Sequence, residues 1–236
     1  PKLDGLAVLR TRIPEGKQGA PGGKLSAIVM AAARPPRARL EVLTPFGTPA
    51  ATLLLAEGLF QAYDPFANRV MQAPLDSPRV TEMLGAIPLP MTQVPSLLRG
   101  AVALEPGEVT EAKVPAVLPV TPGELGTPET VLVEVRRDGK VVQQVSVHAE
   151  GGYPLADIHV DPATGRTTVE ATYSDYGGVG TPPVAFPQKV LVRVHDEAGQ
   201  EAASVEVRLS AIEIDPALGE EAFRLVFHRP PEVQEL

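Results

Sequence analysis

Val131–Arg137 (VLVEVRR), Asp138-Gly139 and Val141–Ala149 (VVQQVSVHA) decide the reading of this chain. Apolar and polar residues alternate on both sides of a two-residue Asp-Gly link. That pattern specifies two antiparallel strands joined by a tight turn whose central residues need positive φ. The same texture extends outward. Toward the C-terminus, Leu155–Val160 and Thr167–Tyr173 flank the turn Asp161–Gly165, and Val190–Asp196, Glu201–Ile214 and Phe223–Phe227 follow as strands. Toward the N-terminus, strands are expected at Leu6–Ile13, Lys24–Ala33, Arg37–Leu43, Ala50–Ala56, Leu59–Asp64 and Val70–Ala73. Short runs closed by Gly, Pro, Asp or Asn pair with their neighbours through hairpins, so the sheet should be antiparallel.

The middle of the chain reads differently. Ser77–Leu84 has Ser at an N-cap position, Pro behind it, Val80, Met83 and Leu84 at helical spacing, and Gly85 past the end. Thr92–Leu104 repeats the helical spacing with Val94, Leu97, Leu98 and Val102. An apolar, proline-rich link, Ala86–Met91, joins the two helices. Residues 105–129 are rich in proline and read as a long loop or an insertion.

The fold class that follows is mainly β (α+β). A strongly curved antiparallel sheet of about eleven strands in meander order should carry two short helices over its concave face. Length alone permits one large domain or two small ones; the pattern favours a single domain over 1–236. Inward positions are aliphatic, as in Arg37–Leu43, where Ala38, Leu40 and Val42 share one face. Aromatic residues are only 4% of the chain and Trp is absent. A wide curved sheet with so few bulky rings has difficulty filling its concave side, and aliphatic cavities stay dry and accept apolar guests.

Composition narrows function by exclusion. The chain has 21 Lys+Arg against 29 Asp+Glu, a net charge of −8, which argues against a nucleic-acid partner and against simple electrostatic docking on anionic lipid. Cysteine is absent, which removes disulfide, thiol and Cys-zinc chemistry. No apolar run reaches the ~18 residues of a membrane-spanning helix. His148, His159, His195 and His228 show no metal-ligand spacing. His159-Val160-Asp161 puts an imidazole and a carboxylate on one strand face, and the plainer reading is a solvated strand histidine beside a turn Asp. There is no Gly-x-Ser-x-Gly elbow and no phosphate-cradling loop; Gly177-Gly178-Val179-Gly180 lacks a following helix. The chain is therefore expected not to be an enzyme and to need no cofactor or metal.

Two segments resemble the LolA/LolB family of periplasmic lipoprotein carriers and receptors. In Arg39–Gly100, Leu40–Pro49 (LEVLTPFGTP) is similar to a strand that enters a Pro-apolar-Gly loop, and Gly85–Met91 followed by Val94, Leu97-Leu98-Arg99-Gly100 is similar to the family's proline link and short helix. In Val169–Val194, Tyr173-Ser174-Asp175-Tyr176, Gly180 and Pro187 precede the alternating Val190, Val192 and Val194. Ile212–Pro216 with Phe223, Leu225 and Pro230 is reminiscent of the closing strand. Residues 105–129 have no counterpart, and the helix expected before the first strand is absent or trimmed. The first segment leans to the receptor and the second to the carrier.

The resemblance implies an open half-barrel whose helices cap a hydrophobic cavity for acyl chains. Leu40, Val42, Leu53, Leu55, Met83, Leu84, Ile87, Leu89, Met91, Leu97 and Leu98 are the expected cavity residues. Ile87, Leu89 and Met91 stand either as a lid link or as plain core. Phe46 matches a loop residue that protrudes to touch membrane, or is an ordinary turn Phe on its own hairpin. Tyr173 and Tyr176 either flank the cavity or pin the turn. The expected ligands are lipoprotein acyl chains or phospholipid, handed on with a periplasmic carrier protein as a possible partner. The chain starts at Pro1 without Met, as a processed or trimmed form would, and an outer-membrane anchor on a lipidated Cys before Pro1 fits the periplasmic setting. The other class of function left open is an envelope structural or sensory module that uses the same half-barrel, filled by its own side chains, to bind a protein.

Overall fold

Among residues 2–12, 24–33, 35–83, 91–115, 129–181, 183–214, 216–227 and 229–236, which the computed structural model describes, fourteen strands form a single open sheet. The first six are β1 (Lys2–Arg12), β2 (Lys24–Ala33), β3 (Pro36–Leu43), β4 (Pro49–Ala56), β5 (Leu59–Asp64) and β6 (Arg69–Pro74). Two short helices follow, α1 (Pro78–Met83) and α2 (Val94–Leu98). The remaining strands are β7 (Glu108–Pro115), β8 (Glu129–Arg137), β9 (Lys140–His148), β10 (Pro154–Val160), β11 (Thr167–Val179), β12 (Val184–His195), β13 (Glu201–Ile214) and β14 (Glu232–Glu235).

The order across the sheet is β14-β6-β5-β4-β3-β2-β1-β13-β12-β11-β10-β9-β8-β7. Strands β1–β6 form one antiparallel meander and β7–β13 a second. The two join where β1 lies antiparallel to β13, with Leu9 opposite Val207 and Ala7 opposite Leu209. The hairpin chemistry holds at the turn that anchored the reading: Asp138 and Gly139 have φ of 53° and 74°, which matches the right-handed twist of the flanking strands.

Alternation sends every second residue to the face that carries α2. Ala38 and Leu40 on β3 stand opposite Leu55 and Leu53 on β4, and Leu55 stands opposite Phe60 on β5. This inner face is continuous through Val29, Ala7, Val207, Val190 and Ala171. α2 packs on β2 and β3 and contributes Leu97 and Leu98 to the same core, joined by Val80 of α1. The opposite, outer face of β2–β4 holds a small second cluster of Ala32, Leu54 and Phe223.

The structure corrects four expectations. The strand count is fourteen rather than about eleven; 105–129 contains β7, and the last strand is β14. β7 is an edge strand, where charge and proline are tolerated, so alternation is diluted there. Phe223–Phe227 is no strand: residues Glu220–Phe223 form a 3-10 helix, and the closing strand is the exposed β14, which runs parallel to β6 and has no alternation to betray it. The second helix is five residues long, because Gly100 turns the chain with φ +61°. Finally, β11 runs on through Gly177-Gly178 to Val179 as a strand.

Candidate functional site

Apart from Gln143, the inner-face residues of β8 and β9 around this point are valines. Val133 stands opposite Val145, and Val131 opposite Val147, so three of these four valines form one wall of a hollow. β7 extends the wall with Val109, the start of β12 adds Val184 and Phe186, and the segment leaving α2 adds Val102 and Leu104. Leu3 of β1, Ile214 of β13 and the turn residues Tyr153 and Pro154 close it. The hollow measures about 640 Å³, inside the ~300–1,000 Å³ range of ligand pockets. Most of its lining lies toward the end of the sheet that carries the 149–153 and 180–183 turns.

The segment 101–105 reaches over β9 and β10 because a buried amide holds it. Gln143, fully buried, donates to the Ala103 carbonyl (3.1 Å) and to Asp157 Oδ1 (2.8 Å), and its Oε1 accepts from the Glu105 backbone N–H (2.8 Å). Glu105 in turn accepts from Gln93 (3.0 Å) and Arg137 (3.4 Å). His159 meets Asp157 at 3.4 Å and Glu105 at 3.9 Å. The carboxylate that the sequence placed beside His159, Asp161, instead caps its own turn by accepting from the Ala163 N–H and the Thr164 hydroxyl, and these bonds hold its pKa low. His195 approaches Glu170 at 3.9 Å, and its buried Nε2 has no hydrogen-bond partner.

Tyr153, which lines the hollow, is held between two other rings. Tyr153 stacks on His148 with centroids 4.6 Å apart and on Tyr176 at 4.3 Å. The Tyr176 hydroxyl donates to the Pro154 carbonyl, tying β11 to the turn that carries Tyr153. Tyr173 lies in the core, and burial pushes the pKa of both tyrosines up. So Tyr176 pins a turn, Tyr173 packs, and Tyr153 is the tyrosine that lines the hollow, together with Phe186.

Seven of the eleven expected cavity residues can be placed in full, and they lie away from this hollow. Leu40, Leu55, Met91, Leu97 and Leu98 are buried in the main core, and Leu53 packs against it. Val42 is half-buried on the same face of β3. Met83 closes α1. Leu84, Ile87 and Leu89 lie outside the described residues. None of Leu40, Val42, Leu53, Leu55, Met91, Leu97 and Leu98 lines the hollow. The physical reason is that α2 sits on β2 and β3 and occupies the inner face there. Phe46 is 92% exposed, at the tip of the β3–β4 loop. That loop lies at the sheet end opposite the 149–153 turn. Phe66, on the β5–β6 loop at the same end as Phe46, is 77% exposed.

Alternation in β8 and β9 could have flagged Val133, Val145 and Val147 as one face. No feature of the sequence says which part of that face the helices leave bare. Among the described residues no group of three His, Asp or Glu side chains could hold a metal, and no helix is long and apolar enough to cross a membrane.

No family model matches the chain, and no curated protein sequence matches it. Solved structures do match. A DUF1329 family protein from Desulfovibrio piger superposes with a TM-score of 0.63 at 11% identity, covering 94% of this chain and 89% of that one. A domain described as an outer membrane lipoprotein-sorting protein, from Vibrio parahaemolyticus, gives 0.60 at 11% identity over 94% and 88%. A LolA superfamily protein from Nitrosomonas europaea gives 0.56 at 10% identity over 95% and 90%. At such low identity what is shared is the path of the backbone, and by that measure this chain has a LolA/LolB-like fold.

Proposed function

We propose that this protein is a non-enzymatic binder of lipoprotein or lipid acyl chains, which it holds in the hollow over β7–β10 and transfers or inserts at the outer membrane. The observation that carries the reading is the unfilled, valine-lined space of about 640 Å³ on the inner face of an open sheet. Apolar surface left facing such a space is the surface that gains from an acyl chain, at ~0.8 kcal/mol per buried CH₂. The LolA/LolB-like fold supports the reading, since one of the structures that share it is described as an outer membrane lipoprotein-sorting protein domain. An envelope module with a solid interior would leave no such space.

Phe46 is the proposed membrane contact, supported by its exposure and by the exposed Phe66 on the neighbouring loop. Hollow and Phe46 lie toward opposite ends of the sheet, so capture and membrane contact are separable. The proposed setting is the periplasm, with attachment to the outer membrane through a lipid anchor and a carrier protein as donor.

The test is extraction from vesicles. The protein should draw an acylated lipoprotein into a soluble one-to-one complex and leave its unacylated form unbound. Failure to form an acyl-dependent complex would overturn the reading. Phe46→Glu should leave extraction intact and slow delivery to acceptor vesicles; equal loss of both steps would remove Phe46 from its role.

A further inference from the structure

The hollow is lined by apolar side chains, mostly aliphatic, with a few charged groups at its margin, and one of these has no counter-charge among the described residues. Lys2 donates its ammonium to the Leu218 carbonyl. Glu111 is exposed on the edge strand β7. Arg99 is half-buried and lines the hollow. Its Nε–H donates to the Pro95 carbonyl (3.1 Å) and one Nη2–H to the Ser96 hydroxyl (3.1 Å). A guanidinium has five N–H donors, so three remain, and no carboxylate pairs with them among the described residues. The other perturbed arginines behave in the opposite way. Glu220 raises the pKa of Arg37 and Glu206 that of Arg208, whereas burial alone lowers that of Arg99.

The backbone holds Arg99 in place. The next residue, Gly100, has φ +61° and approaches Pro187 so closely that a Cβ there would stand 2.6 Å from Pro187 Cδ. The turn out of α2 is thereby seated on β12, beside Phe186 of the hollow's wall. A cation fixed at the rim of an apolar space, with free N–H groups in fork geometry, matches an oxyanion attached to a hydrocarbon chain. Volume narrows the class. A cavity of ~150 Å³ accepts one benzene, so this hollow has room for roughly two dozen carbons, one long chain with its head rather than a bundle of chains.

We infer that the hollow takes an anionic amphiphile, its acyl chain along the valines of β8 and β9 and its carboxylate or phosphate on Arg99. This deepens the proposed function and rests on it, because it names which lipids the hollow prefers.

The test uses the whole chain with ligands matched in chain length: a fatty acid, the corresponding fatty alcohol, a single-chain lysophospholipid with a terminal phosphate, and inorganic phosphate. The acid and the lyso-phosphate should bind about ten- to hundredfold more tightly than the alcohol, the span expected of a charge-assisted hydrogen bond. Arg99→Gln should erase the difference by weakening the two anions to the level of the alcohol, and Arg99→Lys should restore part of it. Circular dichroism checks that both variants fold, and the preference of the wild-type protein needs no variant at all. Equal binding of acid and alcohol would overturn the Arg99 assignment and leave the acyl site standing. Failure of every chain-bearing ligand would overturn both. Tight binding of inorganic phosphate alone would mark an anion site indifferent to the chain, and would also overturn the proposal.

Discussion

Over β2 and β3 the inner face of the sheet is covered by α2, with Leu97 and Leu98 buried against Leu40 and its neighbours. Over β8 and β9, valines of similar apolar character face a hollow. The two regions differ on the outer face as well. Behind β2–β4 the segment around Phe223 packs on Ala32 and Leu54. Behind β8 and β9, Glu134 accepts from Arg136 (2.7 Å) and Gln144 (2.9 Å), as on a wet surface. One region is thus a three-layered support and the other a single wall with lumen on one side and solvent on the other. Close-packed interiors tolerate little change in volume. The filled region is therefore what keeps the sheet in shape while the other stays unfilled.

Gln143→Leu should break the boundary between the two regions and have the largest effect. It would leave the buried Asp157 carboxylate, the Ala103 carbonyl and the Glu105 N–H without their shared partner. Each buried orphan costs ~1–3 kcal/mol, so with three of them urea unfolding should show a loss of roughly 3 kcal/mol or more. A loss under ~1 kcal/mol would mean that the 101–105 segment is held by something else.

Overpacking sharpens the contrast. Ala38, fully buried beneath α2, leaves no room for growth, and Ala38→Leu should cost ~1–3 kcal/mol. Val147 lines the hollow and is only partly buried, so Val147→Phe should cost clearly less and should instead reduce acyl-chain capture. Equal thermal destabilisation by the two would contradict the division into filled and open regions.

The wall was legible in the sequence and the hollow's position was not. Alternation placed β3, β8 and β9 and assigned their faces, and Asp138-Gly139 fixed a register. The inference that a sheet poor in aromatic residues leaves space also stands. The location depended on where a five-residue helix lands, and α2 lands on β2 and β3 through contacts distant in sequence. The same helical spacing that marked Leu97 and Leu98 as apolar suits a lid over ligand and a plug in a core equally. Arg99 gave no signal, because its place beside the hollow is set by the packing of Gly100 on Pro187, a contact distant in sequence.

Acid should loosen the filled region's outer layer more than the open region's wall. Arg37 is buried, donates to both oxygens of Glu220 (2.5 and 2.9 Å) and lies 4.8 Å over the Phe223 ring. The Arg37 hydrogen bonds hold the pKa of Glu220 below its usual 4.5. A carboxylate with a depressed folded pKa adds stability that is fully present above the unfolded value and is lost as pH falls through the folded one. Protonation therefore leaves a buried guanidinium without its anion, and the 220–224 segment should detach. Glu134 is also held low, first by Gln144 and then by Arg136. Its partners are wet, however, and exposed pairs contribute little. Followed by NMR from pH 7 downward, amides of residues 220–224 should lose protection with a midpoint below 4.5, before those of β8 and β9. Simultaneous loss in both places would mean that the outer clamp does not distinguish the two regions.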